Sequence, residues 1–208
     1  RTKGAPQGGA WSRELDALGT GAAVAADERR HRRRAQLLEG RHGAPGVTMA
    51  ISRAGETIYA GAAGFASLEE QTPLEATDRL RIASITKTFV ATTILQLVDD
   101  GLLSLDDTVA QWLDDPAVGA IPHVDTVTVR QLLNHTSGIY DYLDATDTTF
   151  YDDAFFNPDA DWSKVWTLPE LLAYASADNH EPYFAPGEGI HYSNTTYLLL
   201  GMIAEQAT

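Results

Sequence analysis

An α/β (α+β) fold, in which an antiparallel sheet is combined with helices, is predicted by three observations on the sequence. Val47, Met49 and Ile51 alternate with a period of two and lead through Ala54-Gly55-Glu56 into Thr57-Ile58-Tyr59-Ala60-Gly61, the pattern of a hairpin. Between Ile82 and Val98 the only charged residue is Lys87, and the stretch has the length and apolarity of a core helix. After Asn194 a second apolar run of helical length follows a Pro186-Gly187 turn.

Taken in chain order, Arg1 to Gly9 are polar and contain Gly and Pro, which predicts a loose arm. Glu14 to Leu38 reads as a helix whose basic cluster, Arg29-Arg30-His31-Arg32-Arg33-Arg34, is a solvated face rather than a nucleic-acid, lipid or processing site. Two antiparallel strands follow Pro45-Gly46. Thr86 to Asp100 forms a helix that ends at Gly101, a residue suited to the left-handed position just past a helix. Being apolar nearly all round, that helix is expected at the centre of the fold. Val127 to Leu133 starts a short helix, Thr167 to Ala175 another with Thr167 as its cap, and Asn194 to Ala207 a third. The segment from Gly138 to Trp166 is loop-rich and holds Tyr140, Tyr142, Phe150, Tyr151, Phe155, Phe156, Trp162 and Trp166, a composition that fits a lid or the wall of a cleft.

The composition sets limits on function. A length of 208 residues with 44% hydrophobic residues is enough for a substantial core. The formal net charge of −14 argues against a nucleic-acid partner, because affinity for a phosphate backbone rests on Lys and Arg. No apolar run approaches the roughly 18 residues that suggest a membrane span, and none is expected. The chain starts at Arg1 without a signal-peptide pattern, so an export sequence is expected to be already removed or never present. With no Cys, disulfide and thiolate chemistry are excluded. No His-x-x-x-His or carboxylate cluster points to a metal, and no cofactor is expected.

Lys87 is the residue that demands a chemical reason, since a charge in an apolar helix is costly unless it is paired. Ser84 lies three residues earlier, at the expected start of that helix, so one turn brings both side chains to the same face. A helix start offers free N–H groups and a positive dipole end, which suit an oxygen that becomes an anion. A serine hydroxyl is a poor nucleophile until a base removes its proton. Lysine in a water-poor setting loses its own proton more readily and can serve as that base or support another. Ser-x-x-Lys alone is a weak signal, and its bland reading is a lysine whose stem packs while its head reaches solvent. Of Lys3, Lys87 and Lys164, only Lys87 sits in an apolar helix.

A second patch adds weight: Phe184-Ala185-Pro186-Gly187-Glu188-Gly189-Ile190-His191-Tyr192-Ser193-Asn194 leads directly into an apolar helix. Together with Arg81-Ile82-Ala83-Ser84-Ile85-Thr86-Lys87, Gly101-Leu102-Leu103-Ser104-Leu105-Asp106-Asp107 and Leu132-Leu133-Asn134-His135-Thr136-Ser137-Gly138, it resembles the penicillin-recognising serine hydrolases. More narrowly it resembles the branch that contains class C β-lactamases, D-alanyl-D-alanine carboxypeptidases, D-aminopeptidases and related esterases. The resemblance runs from about Gly46 to the end of the chain. It implies a β-lactamase/DD-peptidase-like fold, an antiparallel sheet flanked by helices plus a mainly helical lobe. Residues 1–45 would be an arm and helix, and 46–208 the N-terminal and central part of the hydrolase domain. It also implies that Ser84 is acylated, that Lys87 activates it, that Tyr192 is the general base that later serves as acid, and that Asn194 holds the substrate amide. A phenol near an ammonium ionises more readily, so Lys87 and Tyr192 are assigned the proton transfer jointly. His135 is expected to shape a loop beside the cleft, and His191 to tune Tyr192 at most.

The family pattern has a third element, Lys-Thr-Gly or His-x-Gly, on a strand that lines the cleft. No Lys-Thr-Gly occurs here, because Lys87-Thr88 is followed by Phe89. Loss of one oxyanion donor costs about 2.7–4 kcal/mol of transition-state stabilisation. The C-terminal strands are therefore expected from a complementary segment, either the remainder of a longer chain or a second chain. The function expected from the resemblance is acyl-enzyme hydrolysis of a small-molecule or peptide substrate at an amide or ester bond, in a secreted or periplasmic protein. A non-catalytic binding or scaffold module and a transacylase are the alternatives.

Overall fold

In the computed structural model, which describes residues 44–144, 149–156 and 163–208, the chain divides into two compact units with the boundary between Arg81 and Ile82. Apart from Ala44 and Pro45, the arm and helix expected over residues 1–45, with the Arg29–Arg34 cluster, lie outside the described residues.

The described part of the first unit is a three-stranded antiparallel sheet in the order β1-β2-β3, with β1 at Gly46–Arg53, β2 at Glu56–Ser67 and β3 at Thr72–Pro73. The expected hairpin is present. Its two-residue loop has positive φ at both Ala54 (50°) and Gly55 (84°), the backbone twist that matches the right-handed twist of paired strands. Strand β2 runs well beyond the expected Gly61, pairing back to Gly46↔Gly64. Gly64 permits this: its φ is +85°, and a Cβ there would overlap the Pro45 carbonyl oxygen. Immediately after it, the Phe65 N–H donates to that same oxygen at 2.8 Å, and Phe65 pairs with Pro73 of β3.

The second unit is helical. Helix α1, Thr86–Asp99, ends in a Schellman motif: Gly101 has φ +73°, its N–H donates to Val98 O and the Leu102 N–H to Leu97 O, both at 3.0 Å. Short helices α2 (Val109–Trp112) and α4 (Val129–Leu133) each start in a capping box, Thr108 with Gln111 and Thr128 with Gln131, while the Asp115 side chain caps α3 (Pro116–Gly119). Helix α5 (Thr149–Tyr151) passes into a π-helical turn, Asp152–Phe156. Helix α6 (Leu168–Ala173) has the expected Thr167 cap, reciprocated by Glu170, and α7 (Thr195–Ala207) begins after Asn194.

The core of this unit is built on α7, whose Leu199, Leu200 and Ile203 are fully buried and pack with Ile94, Val109, Val129, Leu132, Ile139 and Leu172. Each such side chain contributes about 1.5–3 kcal/mol through removal from water. Helix α1 contributes Ile94 and Leu97 to this core, whereas its Phe89 (64%) and Leu95 (50%), with Ile85 (60%) just before it, are exposed, because the described helices cover one face only. Among the described residues, no helix is long and apolar enough to cross a membrane.

Candidate active site

Ser84 lies at the start of α1, where its sequence position predicts it. It is the middle residue of a 3-10 turn, Ala83–Ile85, closed by the Ile85 N–H donating to Ile82 O at 3.1 Å, and α1 begins two residues later. Ala83 enters this turn with φ +45°, a left-handed conformation that costs a non-glycine residue about 1–2 kcal/mol. Ser84 is thereby exposed at the head of α1, and Lys87 is half-buried in the first turn of the helix.

The loop before α7 brings the remaining residues to this pair. The Tyr192 hydroxyl lies 2.7 Å from Ser84 Oγ, with either atom able to donate. Lys87 Nζ donates to Asn194 Oδ1 at 2.5 Å and lies 4.8 Å from the centroid of the Tyr192 ring and 5.4 Å from that of Tyr197. Four residues assigned from the sequence, Ser84, Lys87, Tyr192 and Asn194, thus meet in one cluster although 107 residues separate Lys87 from Asn194. Packing of α1 against α7 sets the two motifs side by side.

His135 braces the loop. Its φ of +61° turns the chain after α4, its carbonyl accepts the His191 N–H at 3.0 Å, and its Nδ1 accepts the Ser193 N–H at 3.3 Å. The ring packs 4.6 Å from Tyr192 and 5.3 Å from Tyr197. Burial first, and the Lys87 charge second, hold the imidazole pKa below its ordinary value, with Asp141 opposing. In a neutral ring whose one proton sits on Nε2, Nδ1 is free to accept, as its contact with Ser193 requires. The His191 ring stacks on Tyr183 at 3.6 Å, and its Nδ1 is 3.0 Å from Tyr192 O.

Two side chains that the sequence reading passed over support the site. Asp141 is buried, and its carboxylate accepts from the backbone N–H and the side-chain amide of Asn194. Tyr183 accepts the Asp141 N–H and donates to Asp144, and its hydroxyl pKa is raised by burial and then by that bond. A signal for Asp141 was present in the sequence, an acid enclosed by Tyr140 and Tyr142 in an aromatic segment. Part of that segment wraps Phe150, which meets Tyr142 and Tyr174 edge-on and Trp166 at a tilt. Among the described residues, no three His, Cys, Asp or Glu side chains cluster as metal ligands would.

Penicillin-binding protein 4* of Bacillus subtilis (strain 168) is 32% identical over 161 residues, which are 77% of this chain and 32% of that protein. Esterase EstB of Burkholderia gladioli is 35% identical over 167 residues, 78% of this chain and 41% of the esterase. The crystal structure of a D-stereospecific amidohydrolase from Streptomyces sp. superposes with a TM-score of 0.65 at 38% identity, over 83% of this chain and 48% of that one. The chain spans less than half the length of each of these relatives. The family model described as Beta-lactamase matches residues 22–208, and the chain belongs to that family, as its four motifs led one to expect.

Proposed function

We propose that this chain carries the acylating machinery of a serine hydrolase acting on an amide, peptide or ester bond. Ser84 is the nucleophile, Lys87 and Tyr192 together move its proton, and Asn194 meets the substrate amide. The observation that carries this reading is the 2.7 Å contact between Ser84 Oγ and the Tyr192 hydroxyl, with the Lys87 ammonium beside the same ring. Membership of the family, and relatives named as a penicillin-binding protein, an esterase and an amidohydrolase, support it.

In the first half-reaction Tyr192, acting as a phenolate beside the Lys87 ammonium, takes the proton of Ser84 as Oγ bonds to the substrate carbonyl carbon and the carbonyl electron pair moves onto oxygen. That pair then returns, the bond to the leaving group breaks, and Tyr192 gives the leaving group its proton. In the second half-reaction water adds to the acyl-serine, Tyr192 receives water's proton, and the Oγ–carbon bond breaks as Ser84 recovers a proton. An amine in place of water gives transfer instead of hydrolysis. Asn194 Oδ1 has a second lone pair besides the one that Lys87 uses, and a substrate N–H can donate to it.

The exposed Phe89 and Leu95 of α1, with Ile85 just before it, are the surface that we assign to a complementary segment, from the remainder of a longer chain or from a second chain. Intact-mass spectrometry with a fluorophosphonate and with a penicillin tests the reading. One adduct mapped to Ser84 and lost in Ser84→Ala is expected, and no adduct with either reagent, even with the complementary segment present, rejects it in favour of a binding module. Labelling of the isolated chain as fast as that of a longer protein would remove the need for a complement.

A further inference from the structure

Asp141 has no task in the reaction just described, yet it is only 5% exposed and close to the centre of the site. Its Oδ1 accepts the backbone N–H of Asn194 at 2.9 Å, the backbone N–H of Leu143 at 3.1 Å and the Asn194 Nδ2 at 3.1 Å. Its Oδ2 accepts the same Nδ2 at 2.9 Å. An ionised carboxylate has no hydrogen to offer, so the Asn194 carboxamide can turn only its N–H edge towards it. The carbonyl edge is thereby left facing Lys87, whose Nζ donates to Oδ1.

We infer that Asp141 is a positioning residue: it fixes which edge of the Asn194 carboxamide faces Lys87 and so holds the ammonium beside the Ser84–Tyr192 pair. The inference rests on the catalytic reading of Ser84, Lys87 and Tyr192 given above. Its chemistry predicts a specific failure in Asp141→Asn. If the new amide keeps its oxygen at the Oδ1 position, it still accepts the N–H groups of Leu143 and Asn194. Its NH2 then faces the Asn194 NH2, donor against donor. Asn194 must flip, and Lys87 then meets an N–H group instead of a carbonyl oxygen. The exchange Asp141→Asn with Asn194→Asp restores the pattern. The amide at 141 donates to the carboxylate at 194, whose other oxygen accepts from Lys87.

The test uses full-length protein and a chromogenic ester or amide. Asp141→Asn should lower kcat by about 10²-fold, the effect of a displaced reacting group, with KM little changed. Its thermal midpoint should stay within about 4 °C of the parent, because the bonds to backbone survive. The double exchange should regain at least about tenfold of the loss, a coupling that neighbouring, interacting sites permit. An Asp141→Asn variant that keeps kcat within threefold, or an exchange no better than the poorer single variant, overturns the inference. Side-chain amide NMR gives a readout independent of turnover. The Asn194 Nδ2 protons should be protected from solvent exchange in the parent and exposed in Asp141→Asn, and unprotected protons in the parent also overturn it. A parent that acquires no adduct at Ser84 instead sinks the catalytic reading, leaving the amide signals to decide whether the tether exists.

Discussion

Tyr192→Phe separates chemistry from stability because it removes one oxygen and little else. The Ser84 Oγ contact at 2.7 Å disappears, while the ring that packs 4.6 Å from His135 and 4.8 Å from Lys87 remains. If the hydroxyl moves the proton, acylation should slow by about 10²–10⁴-fold, the usual contribution of a general base. At about 1.36 kcal/mol per tenfold, that is a barrier increase of about 2.7–5.4 kcal/mol. The folding effect is much smaller. Tyr192 is 44% exposed and Ser84 is also exposed, so water replaces the lost partner, and the ordinary net value of a hydrogen bond, about 0.5–1.5 kcal/mol, is an upper limit. For a chain of this size the midpoint should fall by no more than about 6 °C. Stopped-flow acylation of full-length protein by an activated ester gives the first quantity, and thermal unfolding followed by circular dichroism the second. A variant that acylates within threefold of the parent would refute the role given to Tyr192, and one that unfolds far earlier would show the hydroxyl to be structural.

Two further outcomes follow from the loop that supports the site. His135 has a lowered folded pKa, so its contribution to stability is fully present above the unfolded value of about 6.5 and is lost as pH falls towards and through the folded value. The thermal midpoint should therefore drop from pH 7 to pH 5 more in the parent than in His135→Asn, which tolerates the positive φ, and equal drops would count against the brace. Gly138→Ala should destabilise by about 2–5 kcal/mol, since φ is +75° and an added Cβ would overlap the Phe184 carbonyl oxygen. Urea unfolding measures it, and a loss below about 1 kcal/mol would mean that the two loops separate easily.

Much of this site was legible in the sequence because its chemistry is concentrated in short motifs. Ser84 and Lys87 are one turn apart, Tyr192 and Asn194 lie in one loop, and the Thr167 cap and the Gly101 stop are local features of a few residues. What escaped depended on backbone geometry or on distance along the chain. A left-handed Ala83 shapes the 3-10 turn that carries Ser84, and a left-handed Gly64 let β2 continue where Gly61 looked like its end. Helices α2 and α3 are four residues each, too short for a period to declare itself, although Thr108-Val109-Ala110-Gln111 carries a capping signature. Asp141 acts on a residue 53 positions away, and no local pattern reports such a contact.

The carboxamide of Asn194 stands between a buried acid and a basic group. If Asp141 touched Lys87 directly, the two charges would neutralise each other and the proton would be held in a closed pair. An amide carries direction without net charge, so it acts as an insulated connector that fixes the lysine's place and leaves its charge unspent. The two ions are thus joined through a side chain that is polar at both ends and ionised at neither.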